Sequence, residues 1–313
     1  MHHVIIDCDP GHDDAVALLL AAGHPAIDLL GVTTVGGNHT LGNVTRNARQ
    51  VLTLAGRSDV PLHAGASRPL LRAPETAAAI HGDTGMTLHG YELPEPAVPV
   101  REGHAVHYII DTIMGREPGT VTLVAIGPLT NIALAVRLEP RIVGRVREIV
   151  LMGGAYGTGN RTASAEFNIA ADPEAAQIVF RERWSVTMVG LDLTHQALAT
   201  PEVEKRFAAL GTSAGDFLVA LIGAFRANYR DAQGFPDPPV HDPCALAYLI
   251  DPAVVGTVRV PVDVETRGDL TAGRTVADFR APAPADCHTQ VATTLNPERF
   301  WDLVVEAVRA LGE

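Results

Sequence analysis

Residues 4–14 read Val4-Ile5-Ile6-Asp7-Cys8-Asp9-Pro10-Gly11-His12-Asp13-Asp14. The apolar run Val4–Ile6 predicts a buried strand. Pro10-Gly11 breaks it, and Asp13-Asp14 open a helix over Ala15–Ala22 that Gly23 stops. One acidic residue in a first helical turn needs no special account, because backbone N–H groups there lack partners. Four carboxylates at one junction do need one: Asp7, Asp9, Asp13 and Asp14 repel one another unless something positive joins them. A divalent cation is the simplest remedy, and hard oxygen ligands favour Ca²⁺ or Mg²⁺ over zinc. Asp7 and Asp9 lie on one side of the strand. Asp13 and Asp14 point about 100° apart around a helix, so one can hold an ion while the other faces a substrate.

Outward from this stretch, Ile27–Val35 predicts a second strand, followed by Gly36-Gly37-Asn38-His39 and a helix over Leu41–Leu54. Two successive strand–loop–helix units argue for a parallel sheet with crossover helices. Residues 57–100 are rich in Pro, Gly and His, and so long an irregular stretch is usually a functional loop. Regular patterning returns with a helix over Ala105–Met114, a strand over Thr120–Ile126 and a helix after Gly127-Pro128. Then come a strand over Glu148–Met152, a polar loop over 155–171, a helix over Pro173–Arg181 and a strand over Val186–Gly190. Strand ends marked by Gly, Pro, Asp or Asn are what a doubly wound sheet shows along its ligand-binding edge. Beyond them the pattern predicts helix over 201–228, a polar segment 231–240, a helix over Pro243–Ile250 and a strand over Val258–Glu265. A hairpin around Arg267-Gly268-Asp269, a short strand Val291–Thr293 and an amphipathic helix Pro297–Leu311 follow. No repeat, linker or charge block divides the chain. The expectation is one α/β domain over 1–313, with a mostly parallel central sheet flanked by helices.

The chain has 313 residues, 47% of them apolar but only 5% aromatic, so its core must be mostly Ala, Val, Leu and Ile. With 36 acidic against 24 basic residues the net charge is -12, which disfavours a nucleic-acid polymer as partner. Lys205 is the single lysine. Cys8, Cys244 and Cys287 are odd in number and lack metal-like spacing, so a reducing cytoplasm is expected. The apolar run after Met1-His2-His3 is broken by Asp7 and does not read as a signal peptide. Ala15–Ala22 is too short to span a bilayer, and no membrane partner is expected.

Three further polar clusters follow predicted strands or open predicted helices. Gly36-Gly37 allow close backbone approach, and Asn38 offers a donor and an acceptor. Asn160, Glu166 and Asn168 alternate with Phe167, a pattern that presents polar groups to a polyhydroxylated ring and an aromatic face to a flat group. In His241-Asp242-Pro243, Asp242 has the place of a helix N-cap with Pro243 at the first helical position. That placement leaves His241 unexplained, free to serve as a neutral acid or base. His81 is a candidate second imidazole.

In these residues the chain resembles the inosine-uridine preferring nucleoside hydrolases. The most specific element is Asp7-Cys8-Asp9-Pro10-Gly11-His12-Asp13-Asp14-Ala15. Further matching segments are Gly36-Gly37-Asn38, His81-Gly82, Val124–Asn131, Met152-Gly153-Gly154, Ala165-Glu166-Phe167-Asn168 and His241-Asp242-Pro243-Cys244-Ala245. The resemblance implies hydrolysis of the N-glycosidic bond of ribonucleosides (uridine, cytidine or inosine) around one tightly bound Ca²⁺. It implies Asp9, Asp14 and Asp242 as metal ligands, with the main-chain carbonyl of Ile126, where relatives often have Thr. Asp7 would support those ligands from behind. Asp9 would also take the proton from the attacking water. Asp13 and Asn38 would meet the 2′-hydroxyl, Asp242 the 2′- and 3′-hydroxyls, and Asn168 the 3′- and 5′-hydroxyls. Asn160 and Glu166 would meet the 5′-hydroxyl. Met152 and Phe167 would wall the pocket, His81 and His241 would face the base, and His241 would assist its departure with Tyr229 nearby. A homo-dimer or homo-tetramer is implied as well.

Two other classes share some of these features. A phosphatase of the haloacid-dehalogenase type would use Asp7-x-Asp9 after a strand, but needs a lysine, and Lys205 has no ligand-like context. A non-catalytic nucleoside-binding protein would keep Asn160, Glu166 and Asn168 without needing Asp9 and His241. Trp184 and Trp301 lie outside the expected pocket loops, against a tryptophan-stacking, purine-specific site. Phosphate-loop and dinucleotide motifs are missing.

Overall fold

A computed structural model describes residues 1–88 and 90–312, the side chains of 231–233 excepted. His89, Glu313 and the side chains of residues 231–233 thus lie outside the description.

The strands are β1 His2–Cys8, β2 Ile27–Thr34, β3 Leu62–Ala64, β4 Val121–Ala125, β5 Val146–Met152, β6 Val186–Val189, β7 Val255–Arg259, β8 Val262–Val264, β9 Thr275–Ala277 and β10 Thr289–Leu295. The helices of the first half are α1 His12–Gly23, α2 Leu41–Leu54, α3 Ala78–His81, α4 Ala105–Met114, α5 Thr130–Leu138 and α6 Phe167–Ala171. Those of the second are α7 Pro173–Arg181, α8 Leu191–Thr194, α9 Pro201–Ala208, α10 Ser213–Gln233, α11 Pro243–Ile250 and α12 Pro297–Ala310. Eight strands form the main sheet in the order β3-β2-β1-β4-β5-β6-β10-β7, and β8 pairs with β9 apart from it. All main-sheet pairings are parallel except β10 with β7. The chain therefore builds a mostly parallel α/β sheet whose order reverses beside β1. Such a reversal opens a crevice at the carboxyl ends of the strands.

Alternation along β1 divides the core. Val4, Ile6 and Cys8 join the layer with α1, α11 and α12, while Ile5 joins the layer with α4, α5 and α7. Helix α1 is apolar all round and fully buried from Ala15 to Leu20, because α2, α11 and α12 cover what the sheet does not. Each of its leucines contributes about 1.5–3 kcal/mol by burial.

Several boundaries differ from expectation for local reasons. The strand expected over Val258–Glu265 is two: Pro261 has no N–H for a ladder, so β7 ends at Arg259 and β8 turns away to pair with β9. That small pair encloses the expected hairpin around Gly268. The helical stretch expected over 201–228 breaks at 209–212, where Gly211 adopts φ +63°, and resumes as α10 as far as Gln233. The loop over 57–100 contains β3 and α3. Among the described residues, no helix is long and apolar enough to cross a membrane.

Candidate active site

Four strand ends of the reversed sheet deliver the site. Asp9 follows β1, Asn38 follows β2, Ile126 follows β4, and Met152 ends β5. Register sets Asp7 beside Thr33 on one neighbour and Ala125 on the other. Asp7 Oδ1 accepts from Thr33 Oγ1 at 2.6 Å and from Asn131 Nδ2 at 2.8 Å, placing Asp7 below the acidic cluster. Asn131 also donates to the Thr34 carbonyl and accepts from Ala66 N–H, tying β2, α5 and the long loop together.

Asp14 reaches back over the turn to take Gly11 N–H at 3.0 Å and Asp9 N–H at 3.1 Å, as a third-position acid does at a helix start. The Asn38 amide donates to Asp14 Oδ2 and to the Asp9 carbonyl, and the Asn38 backbone N–H donates to Asp9 Oδ2 at 2.6 Å. Gly37 is required here, because a Cβ would overlap Asp9 Oδ2. Asp242 occupies the N-cap position of α11, but its side chain caps nothing. Of its two expected roles, helix cap and member of the acidic cluster, Asp242 has the N-cap position without the side-chain cap, and ligand oxygens of Asp13, Asp14 and Asp242 lie within 4.8 Å of one another. Asp9 is not a member of that closest trio. Its Oδ2 is held by Asn38, and its buried Oδ1 has no hydrogen-bond partner among the described residues.

The cluster is short of positive charge. Burial first, then the Asp14 charge, pushes Asp13 up to about 8 and Asp9 well above the usual carboxylate range. Asp242 is raised by burial and then by Asp13, Asp14 and Asp9. Burial lifts Asp14 to about 6 against the pull of Gly11 N–H, and Asp7 to about 7 against Thr33 and Asn131. Carboxylates in this state are built to share a cation. The orphaned oxygens Asp9 Oδ1 and Asp7 Oδ2, the converging trio and the all-oxygen donor set fit a hard divalent ion.

Above the cluster is a cavity of about 320 Å³. Asp13, Asn38, His81, Ile126, Met152, Asn160, Glu166, Phe167, Asn168, Tyr229, His241 and Asp242 all line it, and Asp9 and Asp14 lie fully buried beneath. Hydrogen bonds fix the sense of the amides. Asn168 Nδ2 donates to the carbonyls of Ile126 and Met152, each at 3.1 Å, which leaves its oxygen as an acceptor. Asn160 Oδ1 accepts from Phe167 N–H at 2.9 Å, which leaves its NH₂ to donate. Glu166 caps α6: it accepts from Asn168 N–H, Ile169 N–H and Gly154 N–H, and burial still lifts it to about 7.

The opposite wall is aromatic and imidazole. His81 Nδ1 receives His12 N–H at 3.2 Å, and a Cβ on Gly11 would come within 2.5 Å of that nitrogen. His81 and His12 stack with each other and with Phe225. His241 Nε2 lies 2.7 Å from the Tyr229 hydroxyl and Nδ1 2.7 Å from the Thr194 hydroxyl, and burial drives its pKa down to about 3, keeping the ring neutral. Sequence reading missed Ile80, Arg161 and Phe225 as lining residues and Thr194 as a partner of His241. Thr194 carried a usable signal, since it follows β6 at the same sheet edge as the other clusters. The tryptophans are buried elsewhere, Trp184 bonding to Val179 and Trp301 to Leu198. Lys205 sits on α9 with its side chain 78% exposed, away from the cavity.

A buried carboxylate cup beneath a polar, sugar-sized cavity with an aromatic far wall defines a metal-assisted glycosidase. A sequence model of the inosine-uridine preferring nucleoside hydrolases matches residues 4–302. An inosine-uridine preferring nucleoside hydrolase of Crithidia fasciculata is 55% identical over 310 residues, covering 99% of this chain and 98% of its own. A pyrimidine-specific ribonucleoside hydrolase of Escherichia coli O157:H7 is 45% identical over 307 residues, covering 98% and 96%. The solved purine-preferring ribonucleoside hydrolase from Gardnerella vaginalis superimposes with a TM-score of 0.92 at 34% identity, covering 99% of each chain. The chain belongs to the inosine-uridine preferring nucleoside hydrolase family and is an N-ribosyl hydrolase.

Proposed function

We propose that residues 1–313 act as one domain that hydrolyses uridine, cytidine and inosine to ribose and free base with Ca²⁺ as cofactor. The observation that carries this reading is the convergence of the Asp13, Asp14 and Asp242 oxygens beneath the cavity. Asp9, Asp14, Asp242 and the Ile126 carbonyl would hold the ion, with Asp13 beside them. Bound there, a divalent cation supplies Lewis acidity toward water and toward a sugar diol.

The chain's own groups do the rest. Asp9 Oδ1 takes the proton from the attacking water, as a positioned carboxylate base. The Asn168 and Asn38 oxygens and the Asp13 carboxylate accept from ribose hydroxyls, while the Asn160 NH₂ donates to the 5′ end. As the ribose–base bond breaks, positive charge grows on the sugar, and the surrounding carboxylates stabilise it more than they stabilise the neutral substrate. Met152 and Phe167 exclude water, His81 faces the base, and the Tyr229–His241 pair offers a hydrogen bond to the departing ring. The 55% identity to an inosine-uridine preferring enzyme supports acceptance of both base classes. So does the Phe225 and Ile80 wall, which has no tryptophan.

The partner is thus a small ribonucleoside, not a nucleic-acid polymer or a membrane. A homo-dimer or homo-tetramer would cover Leu270, Val276 and Phe279, which are exposed around the β8–β9 pair. Three free cysteines support a cytoplasmic setting. The test is ribose release over a nucleoside panel, before and after chelation and Ca²⁺ repletion. Release from uridine and inosine that chelation abolishes and Ca²⁺ restores is expected, and chelator-resistant release would overturn the cofactor assignment.

A further inference from the structure

Both nitrogens of the His241 ring are engaged, Nδ1 with Thr194 Oγ1 and Nε2 with Tyr229 Oη, each at 2.7 Å. All three residues are buried. A hydroxyl, an imidazole and a hydroxyl in a row can be polarised in only two senses. If Thr194 donates, the ring carries its proton on Nε2 and donates to Tyr229, and the Tyr229 O–H points onward into the cavity that it lines. If the ring carries its proton on Nδ1, Tyr229 donates inward and offers the cavity only lone pairs. The Thr194 proton is then stranded, because His241 Nδ1 is the one partner of that hydroxyl among the described residues. A buried donor without an acceptor is a costlier defect than an unused oxygen lone pair.

The geometry points to Thr194 as the positioning residue that fixes the direction of this chain and, through His241, turns the Tyr229 hydroxyl proton toward the leaving base. Backbone bonds hold Thr194 at both ends: its N–H donates to the Gly190 carbonyl at 3.1 Å, and its carbonyl accepts from Ala197 N–H at 3.0 Å. This inference rests on the riboside-hydrolysing reading above and adds a residue to it.

The experiment compares Thr194→Val, which keeps the shape and loses the donor, with Thr194→Ser, which keeps the donor. In protein labelled with ¹⁵N-histidine, the His241 signal (identified by its loss in His241→Ala) is expected to show the Nε2–H tautomer in the wild type and in Thr194→Ser. Thr194→Val is expected to show a mixture or the opposite tautomer. Its kcat on uridine falls about tenfold with little change in KM, its kcat on an activated aryl riboside falls less than about threefold, and Thr194→Ser restores both. An Nδ1–H tautomer in the wild type, an unchanged tautomer in Thr194→Val, or equal losses on both substrates overturns the assignment. Should Thr194→Val fail to fold, the wild-type and serine spectra still decide. Wild-type protein that frees no ribose would defeat the functional reading, whereas the spectra judge Thr194 independently of turnover.

Discussion

The backbone N–H of Asn38 donates to Asp9 Oδ2 at 2.6 Å, while the other oxygen of the carboxylate is buried with no hydrogen-bond partner among the described residues. One oxygen is thus structural, and the proposed function makes the other the base. For Asp9→Asn, the amide oxygen can keep the Asn38 bond while the NH₂ replaces the reactive oxygen. We expect folded protein in normal yield and a fall in kcat of about 10²–10⁴-fold, followed by ribose release. Turnover near the wild-type level would remove Asp9 from the role of base.

The raised carboxylates make a prediction about stability. A carboxyl whose pKa is higher folded than unfolded holds more protons when folded, so stability declines as pH rises from the ordinary value toward the folded one. For Asp13 that span runs from 3.8 to about 8. Buried His241, lowered from 6.5 to about 3, acts in the opposite sense, but only below pH 6.5. Chelated protein should therefore melt at a lower temperature at pH 8 than at pH 6.5. Added Ca²⁺ should raise the melting temperature more at pH 8, since protons and cation compete for the same oxygens. Scanning calorimetry of both forms checks this, and a chelated protein that gains stability over that interval would contradict it.

Glu166 serves three backbone N–H groups at once. In Glu166→Gln the NH₂ must confront one of those donors, at a cost of about 1–3 kcal/mol. We expect a lower melting temperature together with a raised KM, because Phe167 and Asn168 begin the helix that Glu166 caps. A variant as stable as the wild type would show that the three bonds contribute little.

For His241→Ala, loss of the link to Tyr229 should depress hydrolysis of uridine and inosine far more than hydrolysis of an aryl riboside whose leaving group needs no help. Parallel assays on the two substrate types give the ratio directly. Equal losses would assign His241 to packing alone.

Much of this architecture was legible in the sequence because one segment carries both kinds of signal. Val4–Asp14 contains a strand, a break and a helix start, and a shared cation is the simplest remedy for its crowded carboxylates. The partners of those carboxylates were harder to read. Asp242 has a good local explanation as a helix cap, and only the fold shows that its side chain makes no cap. Thr194 follows a strand end as the other clusters do, but its meaning depends on the His241 ring, which is 47 residues away in sequence. The division of 258–265 turned on Pro261, which was visible, but the separate pairing of β8 with β9 depends on contacts that periodicity does not encode.

The placement of α1 bears on how the protein is made. This leucine-rich helix leaves the ribosome more than two hundred residues before α11 and α12, which cover its outer side. A growing chain must carry that surface uncovered through most of its synthesis, and it has no complete acidic cup until Asp242 has emerged. Nascent chains stalled before α11 should therefore be clients of chaperones and devoid of activity.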